Sequence, residues 1–435
     1  MEITIVWLRR DLRLDDNSAL YHALRNNKNV QPLFIFDIEI LNKLEDKHDR
    51  RVDFIHKSLV KLNNELKELG STLWVEHGAP MEVYKKLAST YKIKNVYTNH
   101  DYEPYANERD GQIKKSLTSK KITFESFKDQ CIFEKDEVLK DDGKPYTIFT
   151  PYSRKWKQKL NDFYLSSYPC KKYYKNFSKQ KPKKIISLKE IGFEETDIKI
   201  EPPKPSKELI KHYKETRDFP SVAGTSRLSM HLRFGTISIR KLAKWAMPLN
   251  EQYLNELIWR DFYMMILHHF PKVVDTCFKK DYELIDWRNN EEEFKRWCDG
   301  TTGYPIVDAG MRELNNTGFM HNRIRMVVAS FLTKHLLIDY KWGEAYFAQK
   351  LNDFDLSANN GGWQWAAGCG CDAAPYFRVF NPYEQTKKFD ADLKYIKKWV
   401  PEYAELTYPK PIVDHKFARE RVLSVYKTAL QNARS

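Results

Sequence analysis

The side chains with the most chemistry to offer gather between residues 352 and 382. Residues 357–365 read Ser-Ala-Asn-Asn-Gly-Gly-Trp-Gln-Trp, and residues 372–382 read Asp-Ala-Ala-Pro-Tyr-Phe-Arg-Val-Phe-Asn-Pro. Trp363 and Trp365 place two indoles two residues apart. Each has one N–H that needs a partner and a flat face suited to stacking on other rings. Gly361 and Gly362 would each weaken a regular element by about 0.5–1 kcal/mol relative to Ala. A chain accepts that where its backbone must come close to something. The segment therefore reads as the wall of a pocket for a planar aromatic ligand; taken alone, it fits better an aromatic core cluster around a tight turn. Just upstream, Asp353 and Asp355 set two carboxylates within three residues. On their own they are an acidic loop or a helix cap. Asn359, four residues after Asp355, shares its face if that segment is helical.

Three further sets stand out. Thr225, Ser226 and Ser229 offer hydroxyl and backbone donors at the start of a predicted helix, which suits a diphosphate; an ordinary N-cap is the commoner use of such residues. Glu256 and Trp259 lie three apart on a predicted helix, hence on one face, and so do Asn322 and Met326, one turn apart. An amphipathic helix with a core Trp would look the same. Cys369-Gly-Cys371 has no second pair at zinc-site spacing and reads as structural, and no metal site is expected.

Positioning these sets requires two kinds of scaffold. Residues 3–8, 32–37, 72–76, 94–99 and 122–126 are short β-branched and aromatic runs. Helix-like stretches such as 16–25 and 51–69 separate them, so residues 1–130 are expected to form a doubly wound parallel-sheet α/β domain. No Gly-x-Gly-x-x-Gly follows the first run, so the usual dinucleotide fingerprint is absent there. Residues 131–205 are irregular, basic and Pro-containing and read as an interdomain connector, with a helix starting near Thr150. Residues 206–435 show helical periodicity without strand alternation, as in 254–269 and 303–339, and predict an all-helical domain.

The 435 residues carry a net charge of +14, from 73 Lys+Arg and 59 Asp+Glu, which favours a polyanionic partner. Six Cys in so long a chain exclude a disulfide scaffold. No run approaches 18 apolar residues and no leader is recognisable, so a cytoplasmic, soluble protein without membrane contact is expected.

Five ordered motifs resemble the DNA photolyase/cryptochrome family. They are Gly-Thr-Ser-Arg-Leu-Ser at 224–229, Asn-Glu-Leu-Ile-Trp-Arg-Asp-Phe-Tyr at 255–263, Thr-Gly-Tyr-Pro-Ile-Val-Asp at 302–308, Met-His-Asn-Arg-Ile-Arg-Met at 320–326 and the Asn/Trp segment above. Residues 7–13, Trp-Leu-Arg-Arg-Asp-Leu-Arg, resemble the family's opening strand and loop. The resemblance spans nearly the whole chain. It implies an N-terminal α/β domain, a C-terminal helical domain holding FAD, and light-dependent repair of cyclobutane pyrimidine dimers in DNA by a monomer of the class I type. A blue-light photoreceptor or (6-4) photoproduct repair is the alternative within the family. A basic single-strand-binding protein with base-stacking Trp residues is the alternative outside it.

Carried over residue by residue, the resemblance implies flavin contacts from Tyr213, Thr225, Ser226, Arg227, Leu228, Ser229, Tyr253, Arg325, Asp353, Phe354, Asp355 and Asn359. Tyr253 stands where the family often has Trp. Arg325 would pair with Asp353, and Asn359 would face the flavin N5, where a neutral amide can accept an N–H. Glu256, Trp259, Asn322, Met326 and Trp365 would form the dimer pocket, with Glu256 desolvated and held protonated as a donor. Asn322, where (6-4) enzymes carry His, implies cyclobutane dimers. Arg217, Arg260, Arg323 and Gln385, together with pocket residues Glu256, Trp259 and Asn322, would meet DNA. Trp363, Tyr340 and Trp287 match the family's electron-hopping chain, with Tyr in the middle where the family has Trp and with Trp342 two residues on. Asn107 and Glu108 resemble a folate-contacting pair, while deazaflavin and FMN stay open as the antenna chromophore.

Overall fold

A computed structural model describes residues 2–433. The chain forms two compact units. The first comprises Met1–Glu134, Gln158–Pro205 and Arg227–Pro248; the second comprises Lys135–Lys157, Ser206–Ser226 and Leu249–Ser435.

The first unit is built on a five-stranded sheet: β1 Glu2–Leu8, β2 Val30–Asp37, β3 Trp74–Gly78, β4 Lys92–Asn99 and β5 Thr123–Phe127. All neighbours pair in parallel, in the order β3-β2-β1-β4-β5, with Thr4 opposite Val30 and Ile5 opposite Val96. Each of the five apolar runs in the sequence falls on one of these strands. β1 is buried from Ile3 onward and β2 throughout, as expected of central parallel strands covered on both faces. Alternate β1 residues serve opposite layers: Ile5 and Trp7 join Leu33, Tyr84 and Val96, whereas Val6 and Leu8 join Leu20, Phe34 and Leu59. Helices Ser18–Asn26, Arg50–Glu68, Pro80–Thr90 and Pro104–Ser119 supply the crossovers.

Residues 131–205, read as a connector, are divided between the two units, and Arg227–Pro248, read with the helical part, belongs to the first. Buried charge explains the latter. Arg240 donates to Asp16 at 3.0 Å and to Asp129 at 2.8 Å, and Arg13 donates to Asp129 at 2.6 Å. Breaking one partner of such a buried pair strands a charge in low dielectric. Pairing across more than a hundred residues leaves no trace in local periodicity.

The second unit is helical. Its main helices are Glu251–His269, Glu291–Asp299, Pro305–Thr317, Asn322–Ser330, Tyr340–Lys350, Leu356–Ala367, Pro382–Phe389 and His415–Asn432. Phe149–Lys159, begun where the sequence suggested, contributes most of its length as well. Its core includes Trp297, Tyr304, Phe331, Tyr340, Phe347, Trp363 and Tyr426. The predicted helical stretch 303–339 is broken at Gly318, which ends Pro305–Thr317 in the left-handed region at φ 67°. No helix among the described residues is long and apolar enough to cross a membrane.

Candidate functional site

The Glu251–His269 helix is the spine of the site. Asn250 caps it, accepting the Tyr253 amide at 3.2 Å. Helical spacing then puts Tyr253, Glu256 and Arg260 along one stripe, with Trp259 and Tyr263 beside it. Glu256 Oε1 accepts from Gln252 at 2.8 Å and from Arg217. In this structure Glu256 Oε1 is thus the acceptor of two protein donors. Trp259 is stacked on Phe149, with centroids 3.7 Å apart and planes 4° apart. Phe149 was missed by sequence reasoning, being 110 positions away in a stretch read as a connector; Thr150-Pro151, opening a helix, was the only local signal.

Arg217 lies with its guanidinium 5.6 Å from the Tyr213 ring, and Tyr213 meets Tyr253 edge-on at 5.1 Å. The Tyr253 hydroxyl is 3.0 Å from Ser226 Oγ. The short helix Ser229–Arg233 is capped by Leu228 without a side-chain bond, so Thr225 and Ser226 are not its caps. Arg227, Leu228 and Ser229 belong to the first unit; Arg227 takes a left-handed conformation at φ 51°.

A second arginine pair follows. Arg323 donates to Asp218 at 2.8 Å, lies 4.3 Å from the Phe389 ring and approaches Met326 Sδ at 3.6 Å. Its helix begins with exposed Asn322 and is capped by His321, whose Nδ1 accepts the Arg323 amide. Burial pushes the His321 imidazole down to about 4, so it is neutral at ordinary pH. Arg325 grips Asp353 at 2.9 and 3.1 Å, as the sequence suggested. Asp355, by contrast, caps the Leu356–Ala367 helix, accepting the Ala358 amide at 3.2 Å. Phe354 packs on the unit's core.

The Asn/Trp segment is this regular helix, not a tight turn. Its glycine serves close approach after all: a Cβ on Gly361 would stand 2.2 Å from the Tyr263 ring, whereas one on Gly362 would meet nothing within 4 Å. Asn359 donates its Nδ2 to Glu344 O at 3.1 Å, which leaves its carbonyl end as an acceptor. Asn360 donates to the Glu344 carboxyl at 3.2 Å. Burial pushes that carboxyl up to about 7, and Glu344 is another residue that sequence reasoning missed. Trp365 lines a cavity with Tyr263, Asn360, Gly361, Cys371 and Asp372.

Among the described residues, side-chain atoms on these elements that are buried without a hydrogen-bond partner include Asn255 Oδ1, His321 Nε2, Arg323 Nε and Gln385 Oε1. Each left unmet would cost about 1–3 kcal/mol, so each calls for a partner from outside the protein, water or ligand. With the Asn359 acceptor, the Ser226–Tyr253 hydroxyls and the aromatic faces of Tyr213 and Trp259, the donor set fits a large ligand with flat rings and many polar atoms. The three members of the expected electron chain are less connected. Tyr340 is buried, Trp287 meets Tyr426 edge-on at 6.0 Å, and Trp363 contacts Trp297 and Phe347.

Comparisons with known proteins point the same way. Residues 253–428 match the sequence family described as FAD binding domain of DNA photolyase, and residues 4–172 the family described as DNA photolyase. A deoxyribodipyrimidine photo-lyase of Synechococcus is 36% identical, aligned over 97% of this chain and 96% of its own. Among solved structures, a class III photolyase from Agrobacterium tumefaciens superposes with a TM-score of 0.88 at 32% identity, covering 99% of this chain and 98% of that one. An archaeal photolyase from Sulfolobus tokodaii, solved with two FAD molecules, gives 0.82 at 33% identity, covering 98% of this chain and 100% of that one. With the full-length identity and the shared fold in agreement, the chain belongs to the DNA photolyase family.

Proposed function

We propose that the protein is a deoxyribodipyrimidine photo-lyase that repairs cyclobutane pyrimidine dimers in light. The observation that carries the reading is the shared helix face on which Glu256, tied to Arg217, stands beside the stacked indole of Trp259. FAD in its reduced form supplies, when bound, the light-driven electron that opens the cyclobutane ring and afterwards returns. Tyr213, Thr225, Ser226, Tyr253, Arg325, Asp353, Phe354, Asp355 and Asn359 would hold it in the second unit; Arg227, Leu228 and Ser229 are added on the resemblance alone.

The remaining residues bind, orient and screen. Arg217, Arg260, Arg323 and Gln385 meet the DNA, mainly its phosphates, which position the duplex without reading sequence. The dimer leaves the stack, at a cost of a few kcal/mol that is smaller at a distorted lesion. Trp259, Met326 and Trp365 shield it, and Asn322 and Glu256 take its polar edge. Glu256 exchanges Arg217 for the base, which frees that guanidinium for a phosphate. The Asn359 carbonyl would accept an N–H of the flavin when it is bound, and an amide cannot ionise there. The protein works as a cytoplasmic monomer.

A second, light-harvesting chromophore belongs to the first unit. Asn107 and Glu108 are both exposed on the Pro104–Ser119 helix and are the pair available to folate; the absorption spectrum of released cofactors separates folate from deazaflavin or a second flavin. The substrate is tested by offering reduced enzyme one oligonucleotide with a cyclobutane dimer and one with a (6-4) photoproduct in blue light. Only the first is expected to be restored. Restoration of the second alone would overturn the assignment made from Asn322.

A further inference from the structure

Around Trp363 the rings do not follow the order Trp363, Tyr340, Trp287. Tyr340 makes no ring contact with either tryptophan among the described residues. Among the described residues its hydroxyl has one hydrogen-bond partner, the Cys277 thiol, which donates to it at 3.9 Å. Oxidising a phenol near neutral pH requires loss of its proton, a thiol is no base, and burial holds the Tyr340 proton more tightly still. Trp363 touches a different indole. The Trp297 ring lies 6.1 Å away at 71°, and Trp297 is fully buried with Nε1 donating to Val328 O at 3.1 Å. Trp297 in turn touches Tyr346 at 5.8 Å and 65°. Burial raises the Tyr346 phenol as well, but Tyr346 is only partly buried and its hydroxyl donates to Asn315 Oδ1 at 2.7 Å at an exposed position.

One helix enforces this arrangement. Tyr346, Phe347 and Gly343 all lie on Tyr340–Lys350. A Cβ on Gly343 would stand 2.1 Å from the Trp363 ring, so the glycine lets that helix press against the indole. Phe347 fills the angle between the two tryptophans, 5.0 Å from Trp363 and 6.2 Å from Trp297.

We propose that electrons which reduce the oxidised flavin in light travel from Tyr346 through Trp297 to Trp363, bypassing Tyr340 and Trp287. The proposal rests on the reading that the second unit holds FAD within reach of Trp363. Trp363 gives one electron to the light-excited oxidised flavin, Trp297 refills Trp363, and Tyr346 refills Trp297. The Tyr346 phenolic proton leaves to water at its exposed edge. A thiol reductant in solution then restores Tyr346 with one electron and one proton. Two indoles of one chemical type exchange a hole without moving a proton, so the only proton-coupled step falls at the solvent edge.

The test uses full-length protein loaded with oxidised FAD, dithiothreitol as reductant and blue light. It follows loss of oxidised-flavin absorbance and the radicals seen by transient absorption. Trp297→Phe and Tyr346→Phe should each slow photoreduction about tenfold, as a barrier higher by about 1.4 kcal/mol would. The tyrosyl radical of the parent protein should give way to a tryptophanyl radical in Tyr346→Phe. Tyr340→Phe and Trp287→Phe should keep the parental rate and radical. If either of these two abolishes photoreduction while Tyr346→Phe leaves rate and radical unchanged, the route is overturned. Tyr346→Phe decides the matter even if Trp297→Phe folds poorly. Chemically reduced Tyr346→Phe should repair dimers as the parent does. A parent that neither retains FAD nor repairs would instead sink the underlying functional reading.

Discussion

Trp259 is fixed in plane by the stacked Phe149 ring, and base stacking on such an indole is worth about 1–3 kcal/mol. Trp259→Ala should accordingly cut the preference for dimer-containing over undamaged DNA by about tenfold or more, because 1.4 kcal/mol is a factor of ten. Arg323→Ala should weaken both DNAs alike, since its proposed contact is with phosphate. Filter binding of both variants on matched duplexes checks this, and equal loss of preference in the two would refute the division of roles. His321 yields a prediction about pH. Its ordinary value is 6.5 and burial lowers it to about 4, so between those values the unfolded chain binds more protons than the folded one. The stability this contributes is complete above about pH 6.5 and is lost as pH falls towards 4. His321→Gln should flatten the dependence of Tm on pH across that window; an unchanged slope would remove His321 as its source.

At the scale of elements, the Leu356–Ala367 helix carries two neighbouring glycines with opposite roles. Gly361→Ala drives a Cβ to 2.2 Å from Tyr263 and should cost about 1–3 kcal/mol through overpacking. Gly362→Ala meets nothing and should add roughly 0.5–1 kcal/mol. Thermal unfolding of the two variants separates them, and a shared sign would show that the helix is not held against Tyr263. Much of this level was legible in the sequence. The five strands announced themselves as short β-branched and aromatic runs; central β1 and β2 are buried on both faces, whereas the edge strands β3 and β5 are only partly buried. The Arg325–Asp353 pair followed from the resemblance. What was not legible depends on contacts far apart in the chain. The place of Arg227–Pro248 in the first unit turns on Arg240 meeting Asp16 and Asp129. The Phe149 stack on Trp259 and the Trp363–Trp297 contact are likewise invisible to periodicity. The two-glycine segment was misread as a turn because intrinsic propensity there yields to packing.

For the molecule as a whole, a net charge of +14 and the paired arginines of the second unit imply binding that depends on counterion release. The logarithm of DNA affinity should fall by about 0.9 for each tenfold rise in salt per phosphate contacted. A flat response in titrations at several salt concentrations would show that phosphate contact has been overstated. The central claim is that this chain opens pyrimidine dimers with light and leaves its flavin unchanged. The direct measurement mixes fully reduced, FAD-loaded protein with an oligonucleotide carrying one cyclobutane thymine dimer, without oxygen. Restored thymines are then counted against the flavin spectrum, in blue light and in the dark. The account predicts many dimers restored per chain in light, none in the dark, and a flavin spectrum that ends as it began. Repair in the dark, no repair in light, or one flavin oxidised for each dimer opened would contradict it.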